Sequence, residues 1–466
     1  MPDESYQAFL ASKAVKAVPR GMETAPPLAP HLFQFQSDCV RFGLEVGSSG
    51  LFLDTGLGKT ECQLEWAKHV IAETGKPVLI LTPLAVAQQT RRRAERWGYE
   101  AHVIRDASQA VPGAINICNY DRLDNLDPAA FGGAVLDEAS ILKSFTGKTS
   151  RALRDAFAGL RFKLAATATP APNDHMELGQ YSEFCEIMAT NEMLSRYFIN
   201  DTSTASQEWR LKAHAVNAFW DWMSSWARMA TLPSDLGDYS DDGYILLPFR
   251  VVRHKARDVD IKAKDGALFA SATMSATTMH DVNRQTSEAR ADAVARIVAQ
   301  EPDEAWLLWC DTDYEADALK AAIPDAVEVR GSQPVETKED RLEGFATGKY
   351  RVLIGKPSMI GFGLDWSHCA RMAFVGRSYS YETWYQAVRR CWRFGQKRAV
   401  DVHLVVATGE DTIGRVLDRK ATDHASMREA MRAAMRRANG KTAAVKVAYD
   451  PRNTTELAPW IVPSAA

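Results

Sequence analysis

The chain has 466 residues, of which 46% are hydrophobic and 25% charged, and its net charge at pH 7 is −3. This composition is typical of an ordinary globular protein, and the length predicts about three structural units. No apolar run is long enough to cross a bilayer, and the N-terminus lacks a secretory signal. The seven cysteines form no C-x-x-C pair, which argues against a zinc ribbon or a disulfide framework and favours a reducing cytosol.

The first half of the chain alternates short apolar strands with helical stretches. Residues 1–30 are rich in Ala and Pro and are predicted to be a loosely ordered lead-in. Strands are predicted at 51–53, 78–81, 115–117, 134–136 and 163–166, and a helix at 61–73 that stops at Gly75 and Pro77. Such alternation predicts a parallel sheet covered on both faces.

The alternation is interrupted between about 180 and 285 and then resumes. The interruption is first helical and aromatic, with Trp209, Trp222 and Trp226, and we predict core packing for these rings rather than base stacking. Strands at 306–309, 352–354, 372–375 and 402–406 predict a second α/β lobe. A helix from Ser426 carries methionines four residues apart, which predicts packing on that second lobe.

A glycine-containing loop between a predicted strand and a predicted helix is the first candidate for chemistry. It runs from 54 to 60 and contains Thr55, Gly56, Leu57, Gly58, Lys59 and Thr60. Glycines let backbone N–H groups turn toward an anion, and the helix N-terminus adds a positive dipole. A lysine there reaches the β and γ phosphates of a nucleotide, and the following hydroxyl ligates Mg²⁺. Leu53 stands where this loop usually has its first glycine.

Two adjacent carboxylates follow the predicted strand at 134–136. Asp137 is predicted to hold Mg²⁺ through water, and Glu138 to polarise the attacking water as general base. The competing interpretation is a pair of solvated acids at the end of a strand. An acid-tipped buried strand downstream of a phosphate loop favours nucleotide hydrolysis.

With these motifs in order, the chain resembles the superfamily-two helicases, closest to the Swi/Snf-type DEAD/DEAH-like translocases. In the first lobe, residues 32–36 resemble the family's leading motif, in which Gln36 would bind adenine. Residues 167–170 resemble the motif that couples hydrolysis to nucleic-acid contact, through Thr167 and Thr169. Thr82, Pro83, Lys143 and Lys148 would contact the nucleic-acid backbone.

The second lobe carries the most specific match, the segment 386–396, which contains Gln386, Arg390, Arg393 and Gln396. The resemblance implies that Arg393 is the arginine finger that stabilises transition-state charge, and that Arg390 makes a second phosphate contact. Both are predicted on one face of a helix. Residues 361–365 resemble the glycine-containing fifth motif, which places Gly363 and Asp365 at the nucleotide. Ser140 and Asp365 depart from the residues usual in the family.

The resemblance implies an α/β fold with two RecA-like parallel-sheet lobes in tandem. We expect lobe 1 at 31–185, a helical insertion and linker at 186–285, lobe 2 at 286–415 and a C-terminal helix and tail at 416–466. The first hypothesis for function is an ATP- and Mg²⁺-dependent DNA helicase or translocase. It would move along duplex DNA without sequence preference, because its lobes would contact mainly backbone phosphates.

Two alternatives stay open: an RNA helicase, and a non-catalytic ATP-gated adaptor that binds DNA or a protein partner. We expect a monomer with no membrane association, in the cytoplasm of a bacterial or phage-infected cell. The sequence does not separate unwinding from translocation.

Overall fold

Two parallel sheets, one in each half of the chain, form the framework of the protein. The computed structural model describes residues 15–83, 86–143, 147–171, 175–201, 208–257, 276–360, 364–375, 381–406, 426–433 and 435–437. The predicted fold class, α/β with two RecA-like lobes in tandem, is confirmed by this arrangement. None of the described helices is both long and apolar enough to span a membrane.

The first sheet has seven strands in the order β3-β4-β2-β5-β6-β1-β9, and every neighbouring pair is parallel. The strands are β1 (Ser48–Leu53), β2 (Val78–Thr82), β3 (Ala101–Val103), β4 (Ile115–Asn119), β5 (Gly133–Asp137), β6 (Phe162–Ala166) and β9 (Ala227–Ala230). All residues of β1, β2, β5 and β6 are buried, as expected of central strands covered on both faces.

The helices of the first lobe cover this sheet. They are α1 (Gln34–Val46), α2 (Lys59–Thr74), α3 (Ala87–Arg96), α4 (Lys148–Ala156), α5 (Leu178–Phe184), α6 (Thr190–Tyr197) and α7 (Val216–Ser224). Helix α2 ends at Gly75, whose φ of 67° is left-handed, so the predicted stop at this glycine is confirmed. Between α6 and α7, the short strands β7 (Phe198–Asp201) and β8 (Glu208–Leu211) pair with each other in antiparallel fashion.

The second sheet has six strands in the order β10-β15-β14-β11-β13-β12, again with parallel neighbours. The strands are β10 (Arg250–Lys255), β11 (Trp306–Trp309), β12 (Val327–Val329), β13 (Val352–Gly355), β14 (Arg371–Phe374) and β15 (Asp401–Val406). Its helices are α8 (Ala276–Gln300), α9 (Asp313–Ala322), α10 (Val335–Ala346), α11 (Pro357–Ile360) and α12 (Tyr381–Val388).

The predicted insertion at 186–285 is not a separate unit, because it contributes a strand to each sheet. Strand β9 pairs with β1 in the first sheet, and β10 pairs with β15 in the second. The aromatic part packs into the first lobe: Trp222 and Trp226 are at most 1% exposed, which confirms core packing for these two rings. The structure thus extends lobe 1 to residue 230 and begins lobe 2 by residue 250.

Two further expectations about the ends of the chain are wrong for the described residues. Residues 15–30 are not loosely ordered on their own: the backbone N–H groups of Arg20 and Met22 donate to the carbonyl oxygens of Val46 and Leu44, at 2.9 and 2.8 Å. The methionines of the helix after Ser426 pack into the first lobe and not the second. An amphipathic stripe indicates that a helix face is buried, but it does not identify the partner.

A buried carboxylate, Glu65, holds the segment before α1 against α2. Its Oε1 accepts hydrogen bonds from the backbone N–H of Ala29 and from Nε2 of His69, both at 2.8 Å, and its Oε2 accepts from the hydroxyl of Tyr99 at 2.6 Å. Burial alone would raise the pKa of Glu65, but these hydrogen bonds lower it from 4.5 to about 2.

Replacing this carboxylate should destabilise the fold. We expect Glu65→Gln to lower the free energy of unfolding at pH 7 by about 2 kcal/mol, since a charged acceptor is lost and donors stay buried. Because the folded-state pKa is depressed, the contribution is complete above pH 4.5 and is lost as pH falls toward 2. Urea unfolding from pH 7 to pH 3 should show the difference between variant and wild type shrinking. Glu73→Gln, a half-exposed acid on the same helix, is the control and should show a smaller effect.

Candidate active site

The loop between β1 and α2 turns on two glycines in the left-handed region, Gly56 (φ 97°) and Gly58 (φ 80°). A Cβ at Gly58 would lie 2.1 Å from Nε2 of Gln36, and one at Gly56 would lie 2.9 Å from Cβ of Phe394. Neither position therefore accepts a side chain. The loop leads directly into the first turn of α2, so the positive end of the helix dipole lies at the loop.

The predicted adenine-binding residue, Gln36, lies against this loop. Its Nε2 donates to the carbonyl of Leu57 at 3.0 Å, and its Oε1 accepts from the backbone N–H of Phe33 at 3.0 Å. The side-chain amide thereby joins the loop to the start of α1. Adenine recognition by Gln36 stays a prediction.

Lys59 and Thr60 form the beginning of α2, as a phosphate loop requires. The ammonium group of Lys59 donates to the carbonyl of Leu53 at 2.9 Å. Burial lowers the pKa of Lys59, while Glu138 and Asp54 act in the opposite direction. Leu53, in place of the usual first glycine, is the fully buried last residue of β1. The loop thus begins directly after the strand, and the side chain of Lys59 still reaches the last residue of the strand.

The two predicted acids lie at the carboxyl end of β5. Oδ1 of Asp137 accepts from Nε2 of Gln63 at 2.8 Å, and its Oδ2 accepts from the hydroxyl of Thr82 at 3.3 Å. Burial raises the pKa of Asp137. Glu138 is 8% exposed and has a left-handed backbone, with φ 55°. A non-glycine residue in this region costs free energy, and such strain is concentrated at functional sites.

The acid end of β5 is held by residues that the sequence did not single out. The hydroxyl of Tyr120 donates to the backbone carbonyl of Asp137 at 2.8 Å, and Gln63 binds its carboxylate from α2. Thr82, predicted to contact nucleic acid, is fully buried, and its hydroxyl donates a hydrogen bond to the Asp137 carboxylate. The prediction that the Thr82 side chain contacts nucleic acid is therefore wrong for this structure. Strand β2 lies beside β5, and the Thr82 hydroxyl points inward to Asp137.

The residues at this site fit a Mg²⁺ ion that is held jointly by the protein, waters and the substrate phosphates. Within the described part of the chain, no group of three or more His, Cys, Asp or Glu residues could hold a metal ion by itself. Mg²⁺ is commonly bound through one or two protein oxygens, waters and substrate phosphates. Asp137 at the end of β5 and Thr60 at the start of α2 are residues of the right chemistry for this.

In the second lobe, the predicted helical placement of the two arginines is wrong. Helix α12 ends at Val388, so Arg390 and Arg393 lie in the turns after it. Arg390 is 1% exposed; its Nε donates to the carbonyl of Gln386 at 3.0 Å and its guanidinium to that of Leu364 at 3.2 Å. Arg393 also donates to the carbonyl of Leu364, at 2.9 Å.

Electrostatic contacts distinguish these two arginines. Burial lowers the pKa of Arg390 to about 10. The positive charge of Arg393 lowers this pKa as well, whereas the negative charge of Glu138 raises it. Arg390 also lowers the pKa of Lys59. Arg393 instead lies 3.5 Å from Oδ1 of Asp365. The charge of Arg390 thus influences, or is influenced by, both the predicted base and the phosphate-loop lysine.

Hydrogen bonds join the two lobes next to the phosphate loop. Arg389 donates to the carbonyl of Thr55, the hydroxyl of Tyr385 donates to Oδ1 of Asp54 at 3.1 Å, and Nε2 of Gln386 donates to Oγ1 of Thr169 at 3.1 Å. The sequence did not predict roles for Arg389, Tyr385 and Asp54. The one sequence feature that could have identified these three residues is their place inside or beside a recognised motif.

The remaining predicted residues are dispersed. Thr167 and Thr169 are fully buried after β6, where the backbone N–H of Thr169 donates to Oγ1 of Thr167 at 3.2 Å. Asp365 accepts from the backbone N–H of Ser367 at 3.1 Å and contacts Arg393. Lys148 is exposed at the start of α4, whereas Pro83 and Lys143 are half-buried. Gly363 lies outside the described residues. Nucleic-acid contact by Pro83, Lys143 and Lys148 stays a prediction.

Removing the lysine of the loop should weaken nucleotide binding. We expect Lys59→Ala to raise the Kd of a fluorescent ATP analogue by about 10- to 100-fold, because a charge-assisted hydrogen bond contributes about 1.5–3 kcal/mol. Lys68→Ala removes a half-exposed lysine from the same helix and should leave the Kd unchanged. An unaltered Kd in Lys59→Ala would mean that the loop does not bind phosphate.

Comparisons with known proteins give a likeness of fold only. No family model matches the chain, and no curated protein matches it. Among solved structures, a Sulfolobus solfataricus SWI2/SNF2 ATPase core in complex with double-stranded DNA aligns with 89% of this chain and 95% of that chain. The identity is 14% and the TM-score is 0.40. A likeness at this level carries no argument about function.

Proposed function

We propose that the chain is a nucleic-acid-stimulated ATPase that hydrolyses ATP between its two lobes and uses their closure to move along duplex DNA. The observation that carries this proposal is the contact of Arg389, from the second lobe, with the carbonyl of Thr55 in the phosphate loop of the first. The groups needed for phosphate binding, water activation and charge stabilisation thus come from two lobes that meet at one loop.

In the proposed reaction each lobe supplies half of the chemistry. The loop N–H groups and Lys59 bind the phosphates of ATP, and Mg²⁺, held by Asp137 and Thr60, would neutralise charge on them. Glu138 accepts the proton of the attacking water. Arg390 and Arg393 stabilise the charge that develops in the transition state. Loss of the γ-phosphate then weakens the attraction between the lobes.

Coupling to nucleic acid requires that the hydrolysis site and the outer surface change together. The hydrogen bond between Gln386 and Thr169 crosses the cleft immediately after β6, so opening of the lobes must break it. A two-state contact of this kind is what lets one ligand bias the binding of another. We infer that a duplex lying across both lobes would be gripped differently in the open and closed states.

ATP turnover with and without nucleic acid tests the proposal. We expect hydrolysis by the full chain to accelerate with duplex DNA of any sequence, and translocation to displace a third strand from a triplex. A turnover rate that neither DNA nor RNA changes would exclude a nucleic-acid motor. Stimulation by RNA alone would assign the same engine to RNA. A strand-displacement assay beside the triplex assay separates unwinding from translocation.

A further inference from the structure

The C-terminal helix, residues 426–433 and 435–437, lies on the first lobe, although the last strand before it belongs to the second. Its side chains Met427, Met431 and Met435 are each at most 5% exposed and belong to the core of the first lobe. Burial of three such side chains, at about 1.5–3 kcal/mol each before entropic costs, is enough to dock a short helix. The helix is therefore docked on the first lobe.

A row of arginines on the same helix reinforces this docking. Nε of Arg432 lies 2.7 Å from Oδ1 of Asp235, and Arg436 lies 3.4 Å from the same oxygen. Asp235 is fully buried and follows β9 in a 3₁₀ turn. A buried carboxylate that is paired with two guanidinium groups fixes where the helix lies. These contacts and the buried methionines do not involve Arg428, the first arginine of the helix.

That first arginine, Arg428, reaches beyond the anchor into the cleft. Its Nη2 donates to Oδ2 of Asp54 at 2.6 Å and its Nη1 to the hydroxyl of Tyr385 at 2.9 Å. Its Nε donates to Oγ1 of Thr231 at 3.3 Å. One side chain of the C-terminal helix thus touches the phosphate loop of the first lobe and helix α12 of the second.

Asp54 is the centre of this arrangement, which we call the Asp54 junction (Asp54, Tyr385, Arg389 and Arg428). Asp54 also accepts from the backbone N–H of Thr55 at 2.7 Å and lies 3.3 Å from Arg389. Burial would raise the pKa of Asp54, but Arg389 and Arg428 lower it to about 2. The carboxylate is therefore ionised at neutral pH. Two guanidinium groups face one carboxylate, so the junction keeps one positive charge beside the loop.

We propose that Arg428 is a positioning residue for ATP hydrolysis, and that the C-terminal helix is a strap that fastens the second lobe to the phosphate loop through the Asp54 junction. The role of Arg428 in ATP hydrolysis rests on the proposed function, whereas the role of the helix as a strap between the lobes does not. Arg428 orients Asp54, which holds the N–H of Thr55, and Tyr385, which precedes Arg389 in the chain. The cleft is thereby ordered before the substrate arrives, which lowers the cost of ordering the loop around the substrate.

Kinetics of full-length variants test the catalytic half. We expect Arg428→Ala to raise both the KM for ATP and the Kd of a fluorescent ATP analogue about tenfold and to lower kcat severalfold, with little change in Tm. Arg428→Lys keeps a charge near Asp54 but loses the fork that also reaches Tyr385, so it should recover affinity more than kcat. Arg437→Ala is the matched control, because Arg437 is 40% exposed and 3.6 Å from Asp221. A KM and kcat in Arg428→Ala equal to those of Arg437→Ala would overturn the positioning role.

Hydrogen exchange without nucleotide tests the structural half. Arg428→Ala should increase exchange at residues 54–60 and 381–390, in both lobes, whereas Arg437→Ala should increase neither. An increase confined to residues 426–437 would overturn the strap, because Arg428 would then only dock its own helix. If the wild-type chain neither binds nor hydrolyses ATP, the proposed function fails, and this exchange pattern still decides whether the strap exists.

Discussion

Glu138→Gln should abolish ATP turnover while leaving ATP bound. A general base contributes about 10²- to 10⁴-fold to such a reaction, and an amide cannot accept the proton of the attacking water. The glutamine has nearly the same shape, and its backbone tolerates the left-handed conformation of position 138 no worse than glutamate. We therefore expect kcat to fall by about 10³-fold while the Kd of a fluorescent ATP analogue changes by less than a few fold.

The control for this experiment is a carboxylate outside the cleft. Glu100→Gln, at an exposed position of the first lobe, should leave kcat and Kd as in wild type. A Glu138→Gln variant that keeps more than a third of the wild-type rate would show that another group accepts the proton. Parallel loss of ATP binding would instead indicate damage to the site, which a lowered Tm would confirm.

Arg390→Ala should reduce kcat more than Arg393→Ala. An arginine finger accounts for about 10³- to 10⁵-fold in related phosphoryl transfers. The charge of Arg390 is coupled to those of both Glu138 and Lys59 through their pKa values. Arg393 is compensated in part by Asp365. We expect a loss of about 10³-fold for Arg390→Ala and a smaller loss for Arg393→Ala. This order reverses the preference for Arg393 that the sequence motif implied.

Arg390 needs a second variant, because its guanidinium is buried and donates to the carbonyls of Gln386 and Leu364. Arg390→Lys retains a positive charge and part of the packing but not the planar fork. It should fold with a Tm near that of wild type and still lose most of kcat. Arg398→Ala, which removes a half-exposed arginine paired with Glu304, is the control in the same lobe. A greater loss for Arg393→Ala would restore Arg393 as the finger.

The half-sites of each lobe were predictable because each is contiguous in sequence. The loop around Lys59 and the acids at Asp137 and Glu138 follow buried strands directly, and parallel strands bring their carboxyl ends to one edge of a sheet. The apolar strands were visible by their length and their flanking turns. These features depend on local chemistry, so one sequence was sufficient to find them.

The contacts between the lobes were not predictable in this way. Tyr385 is 331 residues from Asp54, Arg389 is 334 residues from Thr55, and Arg428 is 374 residues from Asp54. No periodicity or spacing rule reaches across such distances. The motif at 386–396 indicated that arginines enter the cleft, but only the packing of α12 determines which of them touches the loop.

The boundaries of the lobes were misplaced for a related reason. Strand β9 has only four residues, and β10 is largely exposed along its length. Neither therefore has the long apolar run that marked the strands predicted from the sequence. Edge strands gain their stability from the neighbour that they pair with. The first 30 residues were likewise judged by composition, whereas Arg20 and Met22 donate to carbonyls near the end of α1 and Ala29 donates to Glu65.

The burial of all seven cysteines makes this chain well suited to thiol-specific labelling. Buried thiols react slowly with maleimides, so a newly introduced surface cysteine would be the main target of a dye. Glu100 in the first lobe and Glu336 in the second are exposed positions for such a pair. Fluorescence energy transfer between them could then follow the distance between the lobes in single molecules, without first constructing a cysteine-free variant.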